Sequence, residues 1–129
     1  MEEIKVNYDY NDFKPLEIKV DSTNYKIEIT TMQELYDWYI WTNVGGLSFF
    51  GCLLFPFLKF QNNRLGELMC YYINESNEKI ILWSGIKYIQ RNYTITIPNG
   101  VSSIYFDWNE MIYSNNSGQI EIKLVKESL

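Results

Sequence analysis

Residues 16–30 alternate apolar and polar side chains with a period of two, and that period fits a half-buried β-strand far better than a helix. Leu16, Ile18 and Val20 oppose Glu17, Lys19 and Asp21, and Tyr25, Ile27 and Ile29 then oppose Lys26, Glu28 and Thr30. A helix would spread these side chains around its circumference, whereas a strand gathers them on one face. Between the two runs, Asp21-Ser-Thr-Asn24 is turn chemistry, so residues 16–30 read as a β-hairpin. Ile4, Val6 and Tyr8 repeat the alternation near the N-terminus and mark a further strand.

Composition extends this reading to the whole chain. The 129 residues include 16 isoleucines and 17% aromatics but no alanine, the best helix former. Continuous apolar strands are expected at residues 47–55 and 57–61, separated by Pro56, which cannot donate to a ladder. Residues 66–74 and 79–84 flank the turn Glu75-Ser-Asn77-Glu78 and form a second hairpin. A strand at residues 93–97 stops at Pro98-Asn-Gly100, and strands at 102–108 and 119–126 form a third hairpin through Ser114-Asn-Asn-Ser-Gly118.

One stretch changes period. Thr31-Met-Gln-Glu34 matches a helix capping box, Met32, Leu35 and Tyr39 follow helical spacing, and Gly45-Gly46 would end the element. The spacing predicts one short helix over residues 32–42, although Tyr36, Trp38 and Tyr39 favour a strand. The expected fold is α+β, mainly β: a single domain over residues 1–129 built on one antiparallel sheet of about eight or nine strands, with an all-β sandwich as the alternative.

Histidine is absent, which removes Ser-His-Asp and Cys-His nucleophiles and the usual zinc and iron ligand sets. Asp107-Trp-Asn109-Glu110 lacks the spacing of a calcium loop and reads as a polar strand end. Gly46 and Gly51 stand five apart as in a phosphate loop, but Cys52-Leu53 occupy the Lys-Ser/Thr positions that loop needs. The expectation is a non-enzyme without metal or cofactor, paired carboxylates being the one catalytic device the composition leaves open. Met1-Glu-Glu-Ile-Lys5 lacks a signal-peptide pattern, so Cys52 and Cys70 are expected to be reduced core thiols in a cytoplasmic protein. No run reaches the roughly 20 apolar residues of a membrane span, because Gly45, Gly46, Ser48, Gly51 and Pro56 interrupt residues 44–58.

The net charge is −5, and residues 1–50 carry nine acidic against four basic side chains. Such a surface disfavours duplex nucleic acid, which is bound by Lys and Arg that displace counterions, and suits a protein partner with a basic surface. Two segments of this acidic half interleave aromatics with carboxylates: Tyr8, Asp9, Tyr10 and Asp12, and then Tyr36, Asp37 and Trp41. Aromatics suit an interface centre and charges its rim, so these seven residues form the expected partner-binding set. Small size, acidity, absence of histidine and richness in Tyr and Asn are common among toxin-immunity proteins and phage-encoded inhibitors of host defence. By this analogy of composition alone, the expectation is an inhibitor in a bacterial or phage-infected cell. A carbohydrate- or small-ligand-binding β module, using exposed Trp and Tyr, is the alternative.

Overall fold

The computed structural model describes residues 3–12, 14–21, 23–37, 40–46, 60, 66–109 and 116–127, with backbone alone at residues 36, 37, 40–42 and 116. Its strands are β1 (Glu3–Asp9), β2 (Leu16–Lys19), β3 (Asn24–Asp37), β4 (Ile40–Thr42), β5 (Leu68–Ile73), β6 (Lys79–Ser84), β7 (Thr94–Thr96), β8 (Ser103–Trp108) and β9 (Asn116–Lys126). A single short helix among the described residues, α1 (Gly85–Ile89), follows β6. The chain is therefore mainly β and antiparallel with one short helix, as the composition predicts. Its strands divide between two sheets rather than one. The first runs β1-β9-β3-β4, with β7 also pairing β3, and the second runs β2-β8-β5-β6.

Alternation places the core between the sheets. Tyr8, Ile27, Ile120, Ile122 and Leu124 of the first sheet and Ile18, Leu68, Cys70, Trp83, Ile104, Phe106 and Trp108 of the second belong to one buried cluster. Across the first sheet the register sets Val6 beside Ile122 and Ile122 beside Ile29, so the apolar positions of three strands share one face. β5 departs from alternation because it is covered on both faces. Met69 and Tyr71, which point away from Leu68 and Cys70, are also buried, and Tyr71 packs against Phe60 and Tyr105.

Two predicted hairpins have the right strands with the wrong partners. β2 pairs with β8 and β3 with β9, so these consecutive strands lie in different sheets instead of pairing with each other. β8 and β9 likewise lie in different sheets. The β5–β6 hairpin forms as expected, with Ile73 opposite Lys79. The strands predicted at residues 47–55 lie outside the described residues, as do those at 57–61 apart from Phe60.

The helix expected over residues 32–42 is instead the second half of β3 followed by β4. Pairing with β9 continues through Thr31, Gln33, Tyr36 and Asp37, with irregularities between Thr31 and Gln33 and between Gln33 and Tyr36. These bulges insert unpaired residues, which stretches the period of two toward three or four and imitates helical spacing. Met32 is exposed accordingly while Leu35 is buried. Gly118, at φ 114°, lies opposite the irregular stretch, and a Cβ there would strike the Glu34 carbonyl.

The helix that does form gave no periodic signal, being five residues long. Its Ser84 N-cap makes no side-chain bond. The buried Glu67 carboxylate accepts the Ile86 N–H at 3.0 Å instead, so a distant loop satisfies the helix start. Among the described residues no helix is long and apolar enough to cross a membrane.

Gly85 sits where α1 meets residues 43–46, and a Cβ there would overlap the Val44 carbonyl, whereas one at Gly100 would meet open space. Gly85→Ala should therefore lower the unfolding free energy by about 2–3 kcal/mol, since backbone must move to admit it. Gly100→Asn, which tolerates the left-handed backbone at φ 87°, should change it by less than about 1 kcal/mol. Urea unfolding of the two variants checks both values.

Candidate binding surface

Strand alternation separates the first predicted segment into two classes. Tyr8 and Tyr10 are 2% and 0% exposed, so the expectation that their rings meet a partner is corrected: both are core residues. Tyr8 stacks on Trp108 with ring centroids 5.2 Å apart, and Tyr10 meets the same indole edge-on at 4.7 Å. The aromatics are drawn inward because each has a large apolar surface and the opposite sheet offers a third ring to cover it. Between them Asp9 faces out, and Asp12 is exposed in the turn that follows, where its own N–H donates to the Asp9 carbonyl at 3.1 Å. Gln119 donates to the Asp9 carboxylate at 2.7 Å, and the Lys14 N–H donates to that of Asp12 at 3.0 Å.

The second segment is carried by backbone already placed. Tyr36 and Asp37 lie at the end of β3, and Trp41 on β4 is the register partner of Tyr36. The side chains of these three residues lie outside the described residues. What the structure adds is convergence. β9 runs between β1 and β3, with Asp9 opposite Gln119, Gln119 opposite Gln33, and Asp37 opposite Asn116. Two segments some 25 positions apart in sequence thus reach the same end of the first sheet.

Charge is distributed unevenly over the molecule. Away from this end four acids are paired: Lys123 reaches Glu3 at 3.4 Å and Glu28 at 3.6 Å, Lys19 reaches Glu17 at 2.9 Å, and Lys126 reaches Asp21 at 2.7 Å. Asp9, Asp12 and Glu121 have no cation within ion-pair distance among the described residues. Glu121 was not singled out in the sequence. It joins Asp9 only because β9 places it beside Asn7, on the same outward face.

The remaining groups with chemical potential are turned inward. Burial pushes the Cys70 thiol well above its ordinary range, so it stays protonated and shielded. Burial, with the neighbouring Asp107 carboxylate, likewise raises the Tyr71 phenol. Asn109, in the predicted polar strand end, accepts the Phe60 N–H at 2.7 Å and donates to the Phe60 carbonyl at 2.9 Å, so its amide acts as a piece of strand edge. Glu110 and Cys52 lie outside the described residues.

A surface feature the sequence reading missed is the β5–β6 hairpin, where Ile73, Ile80 and Ile81 are exposed. Alternation gave no warning of it, since residues 80–82 form an unbroken apolar run that reads as buried.

Because Tyr10 belongs to the core, Tyr10→Ala should cost about 3 kcal/mol or more of stability in denaturant unfolding, where loss of an exposed anchor would leave the midpoint unmoved. A second expectation concerns acid. The Lys126 ammonium and the Tyr25 hydroxyl hold the Asp21 carboxyl below its ordinary value. A depressed carboxylate stabilises the fold above its unfolded pKa, near 3.9, and that contribution is lost as pH falls through the folded value. The stability advantage of the wild type over Asp21→Asn should therefore be present at neutral pH and shrink below about pH 4, as followed by melting temperature.

No protein-family model, no curated protein and no solved structure matches this chain.

Proposed function

We propose that this protein is a non-enzymatic binding protein: a small acidic inhibitor that occludes a basic site on a partner protein, of the toxin-immunity or phage anti-defence type, acting in the cytoplasm. The observation that carries this reading is the position of β9, which gathers Asp9, Glu121 and the end of β3 at one end of the first sheet, next to Asp12. Carboxylates without nearby cations raise a negative potential there, and such a potential steers a basic surface into place. The same potential repels duplex nucleic acid. Since Tyr8 and Tyr10 support the surface from behind, the aromatic contribution in this reading falls to Trp41, on β4 at the same end.

Charges at an interface rim act mainly on the association rate. With the partner captured from the cell that makes the protein, the combined Asp9→Asn, Asp12→Asn and Glu121→Gln variant should associate several-fold more slowly at low salt. Its rate should also vary less between low and physiological ionic strength, with dissociation nearly unchanged. Trp41→Ala should weaken binding by about 2 kcal/mol without a matching loss of melting temperature. A triple variant that associates at the wild-type rate, with the wild-type salt dependence, overturns the reading.

A further inference from the structure

The opposite end of the sandwich carries a groove of about 430 Å³, within the size range of small-molecule pockets. Its distance from the acidic end follows from β8. The Trp108 end of that strand touches Asp9 through the Nε1–H···O=C bond, whereas the groove lies at the Ser103 end, roughly 17 Å away.

Two fixed turns wall this groove. In the β5–β6 turn, the Asn74 N–H donates to the Glu78 carbonyl at 2.9 Å, and the Glu78 N–H donates to Asn74 Oδ1 at 2.8 Å. Asn77, at φ 63°, takes the left-handed position that three-residue hairpin loops require. Opposite it, the Val101 N–H donates to the Pro98 carbonyl at 3.2 Å, with Gly100 at φ 87° in the third position of a type II turn. Neither wall needs to order itself when a ligand arrives, which removes a cost of binding.

The residues that line this space form a consistent chemical set. β8 contributes the half-buried Tyr105, whose ring stacks on Tyr71 at 5.5 Å on one side, and β5 contributes the half-buried Tyr72 from the other face of the sheet. Ser103 Oγ is held by Lys19 Nζ at 3.0 Å. Glu75, Asn99 and Ser102 are exposed and make no side-chain hydrogen bond among the described residues, which leaves a carboxylate, an amide and a hydroxyl for a ligand. No Lys or Arg is among the described lining residues, and the Lys19 ammonium that reaches Ser103 is paired with Glu17 at 2.9 Å, so the Glu75 carboxylate disfavours an incoming phosphate. A ring that carries several hydroxyls and one apolar face uses all these features together: hydroxyls pair with acid, amide and serine, and the apolar face lies on tyrosine.

From this arrangement we infer that the groove is a binding site for a neutral carbohydrate, one or two sugar units long. The site does not rest on the acidic end, and the Asp9, Asp12 and Glu121 substitutions should leave it unchanged.

The test is titration of the full, isotope-labelled chain, followed by amide NMR, with glucose, galactose, mannose, N-acetylglucosamine, maltose, cellobiose and chitobiose, and with glucose 6-phosphate as the anionic control. At least one neutral sugar should move the amides of residues 72–75 and 99–105 saturably, with a dissociation constant of about 1 mM or tighter. Glu75→Ala and Asn99→Ala, both at exposed turn positions that keep the fold, should each weaken that binding about fivefold or more. The inference is overturned if no neutral sugar moves these amides at about 10 mM, if the two substitutions leave the titration unchanged, or if the phosphate ester binds better than glucose.

Discussion

Trp108 is the latch on which the arrangement of the two sheets depends. Its indole belongs to the second sheet, yet it stacks on Tyr8 of the first and donates its Nε1–H to the Asp9 carbonyl at 2.8 Å. Indole suits this position because it joins a large apolar face to one polar handle, which the latch pairs with a backbone acceptor. Tyr10 closes the cluster from the edge, and the Tyr8 hydroxyl donates onward to the Lys14 carbonyl at 3.0 Å. The latch also sets the surface. With Tyr8 and Tyr10 held inward, alternation sends Asp9 outward, so the exposure of the acid follows from the burial of its neighbours.

β9 has the second organising role. As the strand between β1 and β3 it is paired along most of its length on both sides. Its inward residues Ile120, Ile122 and Leu124 fill the core, while its outward Glu121 and Lys123 divide the charge. Lys123 neutralises Glu3 and Glu28 at mid-sheet, and Glu121 adds to the acidic end. One strand therefore both stabilises the sheet and polarises its outer face. The polar groove lies beyond the reach of this polarity, across the length of β8, and its walls are turns rather than strands.

Much of the architecture was legible because period-two patterning survives wherever a strand has one wet face. β1, β2 and the first half of β3 were readable residue by residue for that reason. The second half of β3 was misread because its bulges opposite β9 distort the period, and nothing local distinguishes a bulge from a helical turn at Met32 and Leu35. The hairpins failed differently: Asp21-Ser-Thr-Asn24 is sound turn chemistry, but the same residues serve equally for a crossing between sheets. The short helix α1 was invisible because the carboxylate that accepts its first amide comes from Glu67, nineteen residues earlier in the chain.

For the surface, the sequence by itself determined the chemistry available: no imidazole, an excess of acids in the first fifty residues, and aromatics beside them. It also determined, through alternation, that Tyr8 and Asp9 must face opposite ways. Only the tertiary structure decided which of the two faces water, since that depends on Trp108 lying a hundred residues away. Only the tertiary structure, again, brought Glu121 beside Asp9 and set Glu75 across from Asn99. The physical reason is that strand pairing is non-local. Side-chain period records which residues share a face, but the partner strand, the opposing sheet and the ends that meet are fixed by hydrogen bonds and packing between distant segments.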